Sequence, residues 1–168
     1  TLDYSGSGWN AGSKVVMAAC GDKLRDLATT LPENFSLPEE FREPHFALPG
    51  ILAIQTKAYQ NEQATAVEIA KLADHLKHFD LKEIPLIVVV DDSRFLAQTL
   101  NNFLWATFTR SNPSHDIYGV GSFVQHKHWG CTGPLIIDAR IKPHHAPVLE
   151  VDKKVKEKVD GIMLDLGL

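Results

Sequence analysis

The sequence predicts an α/β domain: a mixed, largely parallel sheet with helices packed on its faces and an amphipathic helix at the C-terminus. Three observations carry that expectation. Leu86 to Val90 (LIVVV) is an apolar run without alternation, which reads as a strand covered on both sides. Ile51 to Thr56 (ILAIQT) and Pro134 to Ala139 (PLIIDA) are two more short apolar runs, each close to Pro or Gly. The segments between these runs include stretches with apolar residues three and four apart, the alternation that builds βαβ units.

Taken in order, residues 1–13 are expected to be a lead-in from a missing domain. Their GSGWNAGSK run departs from the phosphate-cradling pattern and precedes a strand, so it does not make a phosphate loop. Lys14 to Ala19 (KVVMAA) reads as a strand stopped by Gly21. Asp22 to Thr30 is expected to form a short helix, and Pro32, Pro38, Pro44 and Pro49 then punctuate a wrapping loop with helical turns. Asn61 is placed to cap a helix reaching about Phe79, with Val67, Ala70, Ala73 and Leu76 facing inward and Glu68, Lys71 and Lys77 outward. Phe95 to Phe108 is expected as one helix capped by Ser93, with Leu96, Leu100, Phe103, Leu104 and Thr107 on its buried side. Tyr118 to Gly133 reads as loop, with strand character only at Gly121 to Val124. Residues 151–168 form the C-terminal helix, with a stripe of Val155, Val159, Ile162, Met163 and Leu166 that can dock on its own domain or on another subunit. Strand order stays open.

A length of 168 residues suits a single domain, and 44% hydrophobic with 23% charged residues is ordinary globular composition. The formal charge of −4 lacks the basic excess that nucleic-acid binding uses, so nucleic acid is not expected as a partner. The apolar runs fall far short of the roughly 20 residues of a membrane span. With no export leader and only Cys20 and Cys131, free thiols in a reducing cytoplasm are expected. Thr1 in place of Met makes the chain read as a fragment.

Few constellations carry chemistry. Asp91 and Asp92, ending a buried strand, suit a metal or a ribose, but such a pair also simply turns the chain and caps the next helix. His126, His128 and Cys131, with His144 and His145 beyond them, are weak metal candidates because their spacing matches no structural zinc pattern. Loop histidines bonding locally explain the same residues. There is no Gly-x-Ser-x-Gly elbow and no evident Cys-His pair, which disfavours a hydrolase. Phe103, Trp105, Phe108 and Tyr118 have the spacing of a core.

The run VVVDDSRFLAQTLNNFLWATFTRSNPSHDIYG, followed by PLIIDARIKP, resembles the C-terminal domain of the UbiD family of decarboxylases. The resemblance rests on Asp91 and Asp92, Trp105, Thr109 and Arg110, Pro113 and Asp116. Asp138, Ala139 and Lys142 are similar to the family's Asp-Ala-Thr-x-Lys element, with Arg140 in place of the threonine. Upstream, Lys57 and Tyr59 match a strand, lysine, aromatic and helix block, with Asn61 where glycine is common. Together these blocks cover about residues 48–145. The acidic run after the strand is shorter than the family's and lacks its Ile-Asp step, and the histidine and cysteine features lie outside the general pattern.

The resemblance implies a non-oxidative decarboxylase of aromatic or polyprenylated aromatic acids, in ubiquinone or menaquinone biosynthesis, using prenylated flavin mononucleotide and a divalent metal (Mn or Mg). It implies that the catalytic and cofactor-binding residues precede this chain, so that the chain alone binds no cofactor and is inactive. The expected share of this domain is a cleft wall and a homo-oligomer interface in a cytoplasmic enzyme. Lys57, Arg110, Asp116 and Lys142 are the candidates for facing cofactor or substrate, with a buried Arg110–Asp116 ion pair as the competing structural reading. The alternative is an autonomous α/β binding or scaffolding domain.

Overall fold

The computed structural model describes residues 20–145 and 152–165. Seven strands and four helices follow in the order β1 (Arg42–Leu48), β2 (Ile51–Gln55), α1 (Glu62–Leu76), β3 (Leu86–Val90), α2 (Ser93–Gln98), α3 (Leu100–Thr109), β4 (Ile117–Gly119), β5 (Ser122–Gln125), β6 (His128–Cys131), β7 (Leu135–Asp138) and α4 (Lys153–Asp165). Five strands form one sheet in the order β1-β2-β3-β7-β4. The three central strands run parallel, and β1 and β4 close the two edges antiparallel. β5 and β6 make a separate hairpin.

The central strands are apolar on both faces because both faces are covered. Leu52, Ile54, Ile87, Val89 and Ile136 meet Ile69, Leu72 and Leu76 of α1, while Ala53, Val88, Val90 and Ile137 meet Leu96 of α2 and Phe103 and Ala106 of α3. β3 lies at the centre with every residue buried, as its unbroken apolar run predicts. The parallel register aligns Val89 with both Ile54 and Asp138, so β2, β3 and β7 end together and deliver their following residues to one edge of the sheet.

Several expectations are corrected. Asp22–Thr30 is not a helix: it runs irregularly with Leu24 in solvent, and Ala28 is held by backbone bonds to Glu83 and Gly50. The wrapping loop ends in a strand, β1, despite Pro44. An edge strand tolerates a proline whose missing N–H leaves no ladder bond unmade, and β1 is further interrupted by register shifts and by Glu43 at φ 51°. On α1 the buried stripe is Thr65, Ile69, Leu72 and Leu76, whereas Val67 stands 73% exposed. The expected face is about one residue out of phase, so Glu68 turns inward. Asn61 does cap α1, its side chain accepting from Ala64 N–H at 2.8 Å.

The single helix expected over Phe95 to Phe108 is two helices. Thr99 is extended (φ −146°, ψ 154°) and its hydroxyl caps α3 through Asn102 N–H at 3.1 Å. The break turns Leu100 and Leu104 outward. Asp92, not Ser93, caps α2, accepting from Phe95 N–H at 2.9 Å. Ser93 is buried and donates to the Glu43 carbonyl at 2.6 Å, fastening the β1 irregularity to α2. The span Tyr118 to Gly133 holds β4 and the β5–β6 hairpin instead of loop. In α4, Val155, Val159, Ile162 and Met163 are exposed; Leu166, the strand expected over Lys14 to Ala19 and the lead-in 1–13 lie outside the described residues. Among the described residues no helix is long and apolar enough to cross a membrane. Cys20 and Cys131 are free.

Candidate functional site

Beyond the carboxyl ends of the three parallel strands the chain buries a group of charges. β7 ends at Asp138, and two residues later Arg140 turns back over the sheet with its side chain 1% exposed. A buried guanidinium has five N–H donors to satisfy, and all five are satisfied here. Nε and one Nη donate to the two Asp138 oxygens at 2.8 and 3.1 Å. The same Nη reaches the Thr65 hydroxyl at 3.1 Å, and the other donates to Glu68 at 2.8 Å and to the Lys57 carbonyl at 3.1 Å. Arg140 thus ties β7, α1 and the residues after β2 into one unit.

Lys142 completes the group. Its ammonium donates to the carbonyls of Asp138 (2.9 Å) and Arg110 (3.1 Å) and lies 3.3 Å from the Asp116 carboxylate. Asp116 also accepts from Asn112 N–H at 2.7 Å. The Tyr59 ring covers both cations, its centroid 5.9 Å from the Arg140 guanidinium carbon and 5.6 Å from the Lys142 nitrogen. Thr56, at the end of β2, donates its hydroxyl to Glu68 at 2.9 Å and to the Glu40 carbonyl at 2.8 Å.

Three carboxylates (Glu68, Asp116, Asp138) face two cations (Arg140, Lys142), which leaves one negative charge in excess when all are ionised. Burial pushes the Asp116 carboxyl above its ordinary value, with the Asn112 bond and Lys142 opposing the rise. For Arg140 burial works against the charge, but Asp138 and Glu68 outweigh it and the guanidinium is held above its usual range. Burial, seconded by Asp138, pushes the Tyr118 hydroxyl up to about 12. His145, desolvated and beside His144 and Lys142, is pushed down to about 4, and its Nδ1 accepts from Lys142 N–H at 3.0 Å.

The predicted residues separate into three places. Lys142, Asp116 and Asp138 belong to the buried group, and the Arg110–Asp116 ion pair is replaced by Lys142–Asp116. Arg110 ends α3 and lies over the Trp105 ring at 4.7 Å, which turns it away while Asp116 is drawn under Lys142. Lys57 is exposed, its backbone anchored and its ammonium in solvent. Asp91 and Asp92 have separate tasks: Asp92 caps α2, and Asp91 accepts from Ile141 N–H at 2.7 Å, joining the exits of β3 and β7. His126, His128 and Cys131 lie on the β5–β6 hairpin, and among the described residues no three His, Cys, Asp or Glu side chains are grouped to hold a metal ion.

Sequence reasoning missed Arg140 as the centre of the site, together with Glu68 and Thr65. The available signal was Asp138-Ala139-Arg140 closing an apolar strand, which puts two opposite charges where little water reaches. Since the buried cations are fully engaged, what this edge offers a ligand is Lys57, Arg110 and the rings beside them. Clefts of about 320 Å³ and 210 Å³ occur elsewhere, the first by Pro85 and Pro134 before β3 and β7, the second between α1 and the hairpin.

No protein-family model matches the chain. It is 32% identical over 161 residues to a 4-hydroxybenzoate decarboxylase subunit of Chlamydia pneumoniae, covering 95% of this chain and 25% of that protein. An uncharacterized protein of Chlamydia caviae is 33% identical over 162 residues, covering 95% of this chain and 26% of its own length. Among solved structures, the vanillic acid decarboxylase of Sedimentibacter hydroxybenzoicus in its open form aligns with a TM-score of 0.40 and 18% identity, over 71% of this chain and 27% of that one. The chain spans about a quarter of the length of the curated relatives it matches, and over nearly all its own length it is homologous to part of a protein named as a decarboxylase subunit.

Proposed function

We propose that this chain is the C-terminal domain of a UbiD-type decarboxylase of aromatic acids, one that uses prenylated flavin mononucleotide with a divalent metal and acts in the cytoplasm in quinone biosynthesis. The observation that carries the reading is the similarity along 95% of the chain to one quarter of a protein named as a 4-hydroxybenzoate decarboxylase subunit. The order of elements supports it: the acidic strand end, the tryptophan helix, and the Asp-Ala-x-x-Lys exit of β7 converge on one edge of the sheet.

The described residues do not fit the cofactor or its metal. Arg140 and Lys142 are taken up by carboxylates and carbonyls, and no metal-holding group exists among the described residues. The reading therefore assigns that seat to polypeptide outside this chain, and no chemical step is derived through it. This chain's share is to close a cleft and to support assembly into a homo-oligomer. Phe95, Leu100, Leu104, Trp105 and Phe108 of α2 and α3 are all more than a third exposed, an apolar face of the kind that packs against further protein. Placed against a cleft, such a wall excludes water from a substrate carboxylate.

Combining this chain with the remaining three quarters of the enzyme, prenylated flavin, Mn²⁺ and 4-hydroxybenzoate tests the reading. Carbon dioxide release that requires both pieces is expected. Stable association without release from any aromatic acid would instead favour the autonomous scaffolding domain.

A further inference from the structure

We propose that Arg140 is a positioning residue: by clamping the backbone of Lys57 it holds the Lys57 ammonium in place to receive the oxyanion of a ligand at the carboxyl edge of the sheet. The inference rests on the reading of the chain as part of a larger ligand-binding enzyme. It begins from an asymmetry. Arg140 and Lys142 are buried and fully engaged, whereas Lys57, in the same group of residues, sends its side chain into solvent. Among the described residues no carboxylate lies within ion-pair distance of it.

The backbone beneath that free ammonium is held from several sides. Arg140 donates to the Lys57 carbonyl at 3.1 Å, Thr56 N–H bonds to the Val90 carbonyl at 3.2 Å, and the Thr56 hydroxyl is shared between Glu40 and Glu68. Glu68 also holds Arg140, so one carboxylate braces both ends of the clamp. Tyr59, two residues on, lies over the Arg140 guanidinium. Ordering a backbone this heavily beneath a lysine lowers the entropy lost when the ammonium is bound, which is the advantage of preorganisation. Arginine alone supplies enough donors to reach Asp138, Glu68, Thr65 and the Lys57 carbonyl together; threonine, which stands here in the pattern the chain resembles, reaches none of this array. The group received is a carboxylate or a phosphate.

The test uses Arg140→Lys, which keeps the charge opposite Asp138 but cannot span all the partners, with Glu68→Gln as a milder second variant should the first fold poorly. In hydrogen exchange, the amides of residues 57–59 are expected to exchange about tenfold faster in Arg140→Lys, with Leu86–Val90 unchanged. In the full-length protein, dissociation constants are measured for benzoate and for flavin mononucleotide. Lys57→Gln and Arg140→Lys should each weaken one of the two by about tenfold to a hundredfold, the worth of a hydrogen bond to a charged group, and the double variant should weaken it no further. Weaker benzoate identifies the carboxylate, and weaker flavin the phosphate. Unchanged exchange at 57–59, unchanged binding of both ligands, or additive losses would each overturn the proposal. Because these are binding measurements, an absence of decarboxylation counts against the function proposed above and leaves this inference to be decided separately.

Discussion

Arg140 shows how much a single side chain carries at this site. Removing it leaves Asp138 and Glu68 facing each other with no cation between them, and breaking a buried pair from one side costs about 3–5 kcal/mol. Arg140→Met is accordingly expected to lower the unfolding free energy by about that much in urea titrations, and Glu68→Gln by less, since Asp138 stays paired. The pH response has two opposing parts. Asp116 holds its proton more tightly folded than unfolded, so its contribution favours the fold at low pH and is lost as pH rises through the folded value. Asp116→Asn should flatten that part of the stability profile. His145, lowered to about 4, behaves in the opposite sense: the unfolded chain takes up a proton below its ordinary 6.5 while the folded ring stays neutral, so stability is lost as pH falls from there towards 4. Nitrogen NMR at pH 5.5 should find the His145 ring neutral, with Nδ1 unprotonated.

Among the elements, α2 and the β5–β6 hairpin are the least expected from sequence. α2 has only six residues, so it depends on its cap and its packing more than on its own propensity. Asp92→Ala should cost about 1 kcal/mol, the usual worth of such a cap, measured by chemical denaturation. The hairpin reverses direction through His126 and Lys127, both at positive φ (50° and 67°), in a two-residue turn that ordinarily calls for Asn-Gly. Without that turn sequence, β5 and β6 were not legible as a pair. Replacing His126-Lys127 by Asn-Gly removes the left-handed strain, and a rise in melting temperature corresponding to about 1 kcal/mol or more is expected. Beneath the hairpin, Gly119 leaves room for Cys131 and Trp129; a Cβ there would collide with Cys131.

At the level of the whole molecule, the sheet is closed on both faces and at both edges, while one helical face is left uncovered. α3 presents Leu100, Leu104 and Phe108 at helical spacing, with Trp105 and Phe95 in edge contact at 6.1 Å beside them. If that face is a cleft wall, Trp105 loses water when the rest of the enzyme binds. Its fluorescence should then shift to the blue and its quenching by acrylamide fall; Leu104→Glu should weaken that association without unfolding the chain, because Leu104 is not part of the core.

Leu86 to Val90 was readable as the central strand because burial on both sides demands an unbroken apolar run, and Asn61 as a cap because the interaction spans only three residues. The α/β class followed from such local rules. The phase of α1, the break at Thr99 and the partner of Asp116 were settled by contacts between residues far apart in the chain, which local periodicity does not encode. The ionic centre is the extreme case. Arg140 meets Glu68 across 72 residues and the Lys57 carbonyl across 83, and only the packed sheet brings them within 3.1 Å and removes the water that would otherwise screen them.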